Sequence, residues 1–574
     1  MRKLYKVVFI FLLFALFLAE FFHPISAINV DLGRHLLLGK IIVTTHQVPR
    51  TNLLSYTYPN FPYINSSWLT DILYYYLFSL GGFNLLLLVN TLFVAFAFGL
   101  LVYKAIKRNG LMLATLLSIT LYILLLGLRS DIRPEVMSME CLSLFMLILY
   151  CAQESKSKNL LFFLIPLELI WVNLHIYFFV GPLLIALFLL DHLITHRFKF
   201  VDANAYIICL LGTIIVTLAN PNGVSGAVFP FLVLNNYGLP VIENQSIPTL
   251  FTLYHASEIL LPFIAMVLLF TVLFLTRKQT QSIDWLLAIV FSIATVVIFR
   301  NIVLFVFATF LLFTTQLNIL VKKYQPLLKK LPRTLGFFSY LVSVLLLLLF
   351  ITTSIKNNRF GFGVKATSKK AVHFLIANHI HGPLYNNFDI GDYLSYRLYP
   401  QRVFVENRPE AYPANFFENV YLSMQNDPKI FTAIAKKYHF NFVIISYWDN
   451  TPWGNTLVRY LVNQSKFKLV YLDAYTIVLL ANISANHPFI SQHYITEKSL
   501  RLNDYQNLEE LTHYLFFFEK VGWKKQVDLT VSLMRRTDPQ LCSLSQYPLE
   551  HSLIEQYIQK NNLNKNCSRE MFDL

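Results

Sequence analysis

Asp31-Leu-Gly-Arg34-His35 opens a polar, Gly/Pro-punctuated segment that follows the first long apolar run of the chain. It places a carboxylate, a guanidinium and an imidazole within a few residues of a membrane edge. Similar groups recur far along the sequence: Arg129, Asp131, Arg133 and Glu135; Trp171-Val-Asn173-Leu-His175; Asn220-Pro-Asn-Gly223 and Glu243-Asn-Gln-Ser246; and Arg300-Asn301. Several Arg, a His and a carboxylate at one membrane edge suit the departure of a lipid phosphate. Positive charge stabilises the developing dianion, and the Arg fork fits phosphate better than Lys does. A carboxylate at the same mouth can deprotonate an acceptor hydroxyl. The natural donor class is then a sugar linked to a lipid phosphate, its tail held between helices.

The elements that must position these groups are membrane helices. The 574-residue chain is 56% hydrophobic and only 14% charged, against ~25% charged in ordinary soluble proteins. Apolar stretches long enough for a bilayer core recur, and spans are expected near 5–26, 84–103, 111–128, 136–152, 159–174, 177–193, 204–219, 258–276, 284–300, 302–321 and 334–355. With eleven spans and an inner N-terminus, the basic groups around Arg2, Lys104, Lys156, Arg197, Arg277 and Lys322–Arg333 all fall inside. That is the positive-inside pattern. It puts the polar groups named above, and everything after Ile355, outside. The net charge of +15 follows largely from this bias and calls for no nucleic-acid partner.

Three regions are expected: a membrane module over 1–355 with a first outer loop at 27–67, an outer α/β domain over 356–485, and a helical appendage over 486–574. The fold class is mainly α and polytopic, with that α/β domain and helical tail. Within the domain, helical spacing marks Lys370–Asn378 and Lys429–Tyr438. Strand patterns mark Arg402–Val405, Phe442–Ser446 and the paired halves of Val470–Leu480. Leu508, Leu511, Leu515 and Phe518 share a helix face beyond it. Trp68–Leu80 is apolar but short and ends at Gly81-Gly82, as a re-entrant or interfacial helix would. Cys141, Cys151 and Cys209 read as packing residues, while Cys542 and Cys567 share the tail and are open to pairing.

Each polar residue also has a plain structural reading. Asp31 suits a helix cap, Arg129 and Arg133 suit headgroup contacts, His175 suits core packing, and Asn220-Pro-Asn-Gly223 suits a turn. Glu20 and Glu168 lie within spans, where an acid bonds to a neighbouring helix or faces a cavity.

The sequence resembles the GT-C superfamily of integral-membrane glycosyltransferases, which includes protein O-mannosyltransferases, aminoarabinose transferases and the bacterial RgtA/B/C/D-like group. The likeness is to a bacterial branch of the last. It rests on Asp31-Leu-Gly-Arg-His-Leu-Leu-Leu-Gly39, Val48-Pro-Arg-Thr-Asn-Leu-Leu-Ser-Tyr-Thr57, Asn65-Ser-Ser-Trp-Leu69, Arg133-Pro-Glu135, Trp171-Val-Asn-Leu-His175, Asn220-Pro-Asn-Gly223 and Arg300-Asn301. In the outer domain it continues in Asn386-Asn-Phe-Asp-Ile-Gly-Asp-Tyr-Leu394 and Val403-Phe-Val-Glu-Asn-Arg-Pro-Glu410. The resemblance implies a polyprenyl-phosphate-sugar donor, inverting transfer to an extracytoplasmic glycan, lipid or protein, and a catalytic acid in the first outer loop, the position of Asp31. On that reading Arg129, Arg133 and Arg300 meet the donor phosphate, with His35 and His175 assisting. Trp68, Glu135, Asn173, Asn220, Glu243 and Arg408 are the further cavity or acceptor candidates. Asp31 lacks the adjacent Glu of the O-mannosyltransferases, and the second acidic motif of metal-dependent oligosaccharyltransferases is not evident, so metal-free transfer is expected. Transporters or flippases place ionisable groups near the midplane in repeated halves, and neither feature is evident. A non-catalytic scaffold is the remaining alternative, and it requires Asp31, Arg133 and Arg300 on separate faces.

Overall fold

A computed structural model describes residues 2–25, 31–110, 113–155, 158–197, 203–233, 237–254, 259–328, 333–358, 360–365, 368–447, 452–502 and 508–537. The pairing of Cys542 with Cys567 lies outside these residues. Internal contacts divide the chain into two units, one of 1–52 with 61–365 and one of 53–60 with 366–574.

The first unit is a bundle of fourteen α-helices among the described residues: α1 Arg2–Phe21, α2 Leu32–Thr45, α3 Trp68–Asn109, α4 Leu113–Gly127, α5 Glu135–Glu154, α6 Leu164–Leu174, α7 Val180–Thr195, α8 Asn204–Val216, α9 Gly223–Leu232, α10 Ile247–Tyr254, α11 Leu260–Leu275, α12 Ser282–Val297, α13 Ile302–Leu328 and α14 Arg333–Asn358. A helix stands at each of the eleven expected spans. Four stretches are long and apolar enough to cross a bilayer, at Trp68–Asn109, Glu135–Glu154, Ile176–Thr195 and Phe299–Gln325.

Helix α13 lies at the centre because it is apolar on every face, and residues 302–314 are all buried. Helix α3 buries one stripe through Leu87, Thr91, Val94, Phe98 and Leu101. Its opposite face is equally apolar, with Leu88, Leu92, Phe96 and Tyr103 exposed. Water would penalise such a face; lipid does not. The expected break before the second span is present inside α3, where Gly81 and Gly82 leave helical geometry. Gly82 has φ +62° and ψ −155°, a conformation open essentially to glycine alone.

The second unit carries a four-stranded sheet of β1 Leu384–Asn386, β2 Phe442–Ser446, β3 Phe467–Leu472 and β4 Thr476–Ala481, in the order β1-β2-β4-β3. Strand β1 pairs parallel to β2, and the other pairs are antiparallel. The hairpin between β3 and β4 closes where Asp473 accepts the backbone N–H groups of Tyr475 and Thr476, an Asx turn. Arg402–Val405, expected as a strand, joins no sheet. Its backbone bonds instead go to Leu54 and Tyr56 and to the Asn386 amide, which accepts from Phe404 N and donates to Val405 O. A buried side chain thus supplies what a neighbouring strand would have supplied. Helix Leu508–Val521 buries Leu511, Leu515 and Phe518 on one face, as their spacing predicts.

Candidate active site

Asp31 sits at the N-cap position of α2, yet its side chain makes no capping hydrogen bond. Instead its carboxylate accepts Arg34 Nη2 at 3.2 Å, one turn along. Arg34 is 8% exposed and Asp31 33%, so the guanidinium is enclosed while the carboxylate remains open to a substrate. Arg34 Nη2 also lies 3.3 Å from His35 Nε2. The other ring nitrogen, Nδ1, donates to Asp71 Oδ1 at 2.5 Å. Asp71 Oδ2 in turn accepts Asn65 Nδ2 at 2.7 Å, and Asp71 is fully buried. Gly39 makes this chain possible: a Cβ there would overlap the Asp71 carbonyl and Tyr75 Cβ, so only glycine lets α2 lie this close to the start of α3.

The second half of the site comes from loops far apart in sequence. Arg129 donates through Nη2 to Glu135 Oε2 at 2.8 Å and through Nη1 to Glu243 Oε2 at 2.9 Å. Arg133 Nη1 reaches the same Glu243 carboxylate at 2.6 Å. Glu243 therefore bridges two guanidiniums, from a short turn at Ile242–Asn244. The next residue, Asn244, accepts Arg300 Nη1 at 3.3 Å, and Arg300 lies 5.9 Å from the centre of the Tyr177 ring.

The charges act across these elements. Burial opposes the Asp31 charge, but Arg34 and Arg133 outweigh it and hold the carboxyl below its usual range. Burial likewise opposes Glu243, and Arg129, Arg133 and Arg300 together hold it far below the carboxylate range. Both acids are therefore ionised at neutral pH.

His175 stands between α6 and the turn leading to α7. Trp171 Nε1 donates to Ser138 Oγ at 2.8 Å, and Ser138 shares a 2.8 Å bond with His175 Nδ1. The serine hydroxyl, with two lone pairs and one proton, joins the indole to the imidazole. Burial, then the Arg300 and Arg129 charges, push this imidazole below its usual range and keep it neutral. Trp68 Nε1 donates to Asn173 Oδ1 at 2.9 Å, and Asn173 Nδ2 reaches the Ala219 carbonyl. Tyr74 OH donates to the Arg133 carbonyl, tying α3 to the arginine turn. Asn220 closes its own turn, bonding Thr217 O, Gly223 O and Asn222 N.

Asp31, His35, Arg129, Arg133, Glu135, Glu243, Arg300 and His175 thus form one polar cluster in the first unit. Trp68 and Asn173 brace it, and Asn220 serves the adjoining turn. Arg129 and Arg133 are held by carboxylates rather than reaching outward. Arg408 belongs to the second unit, where it is buried with its Nε between both oxygens of Glu406. Asp71 and Ser138 were not among the sequence candidates, and Asn65 entered only within the motif Asn65-Ser-Ser-Trp-Leu69. The one available signal for Asp71 was an acid inside the apolar stretch Trp68–Leu80. Among the described residues, no group of three or more His, Cys, Asp or Glu has metal-holding geometry.

No protein-family model matches the chain, and no curated protein matches its sequence. Solved structures do resemble it. The archaeal oligosaccharyltransferase AglB from Archaeoglobus fulgidus, in complex with an inhibitory peptide and a dolichol-phosphate, matches with a TM-score of 0.58 at 11% identity, over 84% of this chain and 75% of that one. The same oligosaccharyltransferase in complex with Zn and sulfate matches with a TM-score of 0.53 at 10% identity, over 93% and 86%. ArnT from Cupriavidus metallidurans bound to undecaprenyl phosphate is a weaker likeness, at a TM-score of 0.47 and 12% identity over 83% and 98%. At these identities the likeness speaks for the fold alone, and the chain shares the fold of that oligosaccharyltransferase.

Proposed function

We propose that this protein transfers a sugar, with inversion, from a polyprenyl-phosphate donor to an acceptor on the outer side of a cell membrane that it crosses eleven times. The observation that carries the reading is the ionised, partly open Asp31 carboxylate in one cluster with Arg34, Arg129, Arg133 and Arg300. The oligosaccharyltransferase fold, solved with a dolichol-phosphate, supports the lipid-phosphate class. The alternatives of a transporter or scaffold gain no support, because the polar groups converge on one cluster.

In the reaction, Asp31 takes the proton of an acceptor hydroxyl. The hydroxyl oxygen bonds to the anomeric carbon on the face opposite the phosphate. The bond from that carbon to the phosphate oxygen breaks, and its electron pair leaves with the polyprenyl phosphate. The departing phosphate gains one negative charge, which Arg129 and Arg133 meet once the Glu243 carboxylate yields its place. Arg300 adds further donors, with the His175 ring beside it. No step requires a metal.

Asp31→Asn in purified, lipid-reconstituted protein is expected to lose at least about a hundredfold of transfer, in line with general-base contributions of ~10²–10⁴, while the protein remains folded and binds polyprenyl phosphate. Transfer at the unsubstituted rate would overturn the assignment.

A further inference from the structure

We infer that Asp71 is a positioning residue, which acts through His35 to keep Arg34 seated on the Asp31 carboxylate. The inference rests on the proposed role of Asp31 as base. Its geometry is a chain of four side chains on two helices, Asp71–His35–Arg34–Asp31, with contacts of 2.5, 3.3 and 3.2 Å.

The donors and acceptors along the chain run in one direction. Arg34 has only N–H donors to offer, so His35 Nε2 must accept. His35 Nδ1 then carries the ring proton and donates it in a hydrogen bond to the Asp71 carboxylate. Asp71 thereby selects the tautomer whose lone pair faces Arg34. The opposite tautomer would set N–H against N–H and displace the guanidinium. Asp71 is itself over-determined. It is fully buried and receives Asn65 Nδ2 on its second oxygen, while the Asn65 side-chain oxygen accepts the backbone N–H of Ser67. A carboxylate can serve both His35 and Asn65, whereas a carboxamide has one oxygen and can serve only one of them.

The groups facing Asp31 are Arg34 and His35 from α2, Arg133 from the turn before α5, and Glu243 from the turn Ile242–Asn244. Those facing Asp71 are His35, Asn65 and Tyr74. Of these, Arg34 is the cation in direct contact with Asp31, so loosening it raises the pH at which Asp31 gains a proton.

The test is the pH dependence of kcat/KM for sugar transfer by Asp71→Asn and His35→Ala, measured beside Asp31→Asn. The acidic limb of both variants is expected to move up by roughly one pH unit, the effect of losing one opposite charge in contact, with a smaller loss at high pH. The double variant is expected to match the singles, because both break the same chain. An acidic limb unchanged in His35→Ala, or a double variant showing the sum of two independent shifts, overturns the inference. His35→Ala carries the test even where Asp71→Asn fails to fold. If Asp31→Asn retains full transfer, the reading of Asp31 as base has failed, which is a separate outcome from an unmoved limb with Asp31→Asn inactive.

Discussion

Glu243→Gln separates the stability of the site from its readiness to bind phosphate. In the structure Glu243 gives its carboxylate to Arg129 at 2.9 Å and Arg133 at 2.6 Å, the place an incoming donor phosphate requires. Charge-assisted bonds of this kind are each worth about 1.5–3 kcal/mol. The side chain is 30% exposed, and screening by water pulls the pair toward the lower part of that range. A phosphate that no longer competes with this carboxylate gains on the order of 1.5–3 kcal/mol, roughly tenfold to a hundredfold in affinity. The same substitution leaves two guanidiniums short of a partner and is expected to lower the melting temperature. The pH behaviour follows from the sign of the shift. The folded-state pKa of Glu243 is depressed, so its stabilising contribution is present above the unfolded value of about 4.3. That contribution is lost as pH falls through the folded value, and Glu243→Gln should lose that part of the acid sensitivity. The assay is equilibrium binding of polyprenyl phosphate to reconstituted protein, with melting measured in parallel from about pH 7 down to about pH 2, through the range below the unfolded value. Weaker polyprenyl-phosphate binding in the variant would refute Glu243 as the resident counter-anion and would make it an organiser of the two arginines instead.

Two further outcomes test how the site is held. Gly39→Ala is expected to cost about 1–3 kcal/mol, because the added Cβ meets the Asp71 backbone, which cannot yield as a side-chain tip would. Transfer should fall with it as His35 parts from Asp71, and an unchanged unfolding midpoint with full activity would show that α2 and α3 have room to spare. Ser138→Ala leaves Trp171 Nε1 and His175 Nδ1 without their shared partner and is expected to destabilise by about 2–6 kcal/mol, at about 1–3 per buried group. Denaturant unfolding reads this directly, and a loss below about 0.5 kcal/mol, the scale of an innocuous surface change, would mean another group takes the serine's place.

The helices at each expected span, the glycine break after Leu80, and the strands at Phe442–Ser446 and around Asp473 were legible in the residues alone. Each depends on a period or a turn that a short stretch of chain carries within itself. The gathering of polar groups was legible for a different reason, since ionisable side chains are costly at bilayer depth and sort to helix ends. Their partners were not. Arg402–Val405 has a strand's composition, but Asn386 and the segment 53–60 take its backbone bonds, and no local pattern announces that. Asp31 reads as a cap until Arg34 is seen to hold it. Asp71 lies 36 positions from His35, inside a stretch whose spacing speaks only of an apolar helix. Glu243 lies 110 positions from Arg133, and composition made each a candidate without joining them. Periodicity reports which face an element buries. Which two faces meet is decided by packing, here by a glycine that lets α2 approach α3 and by a turn that brings one carboxylate between two arginines.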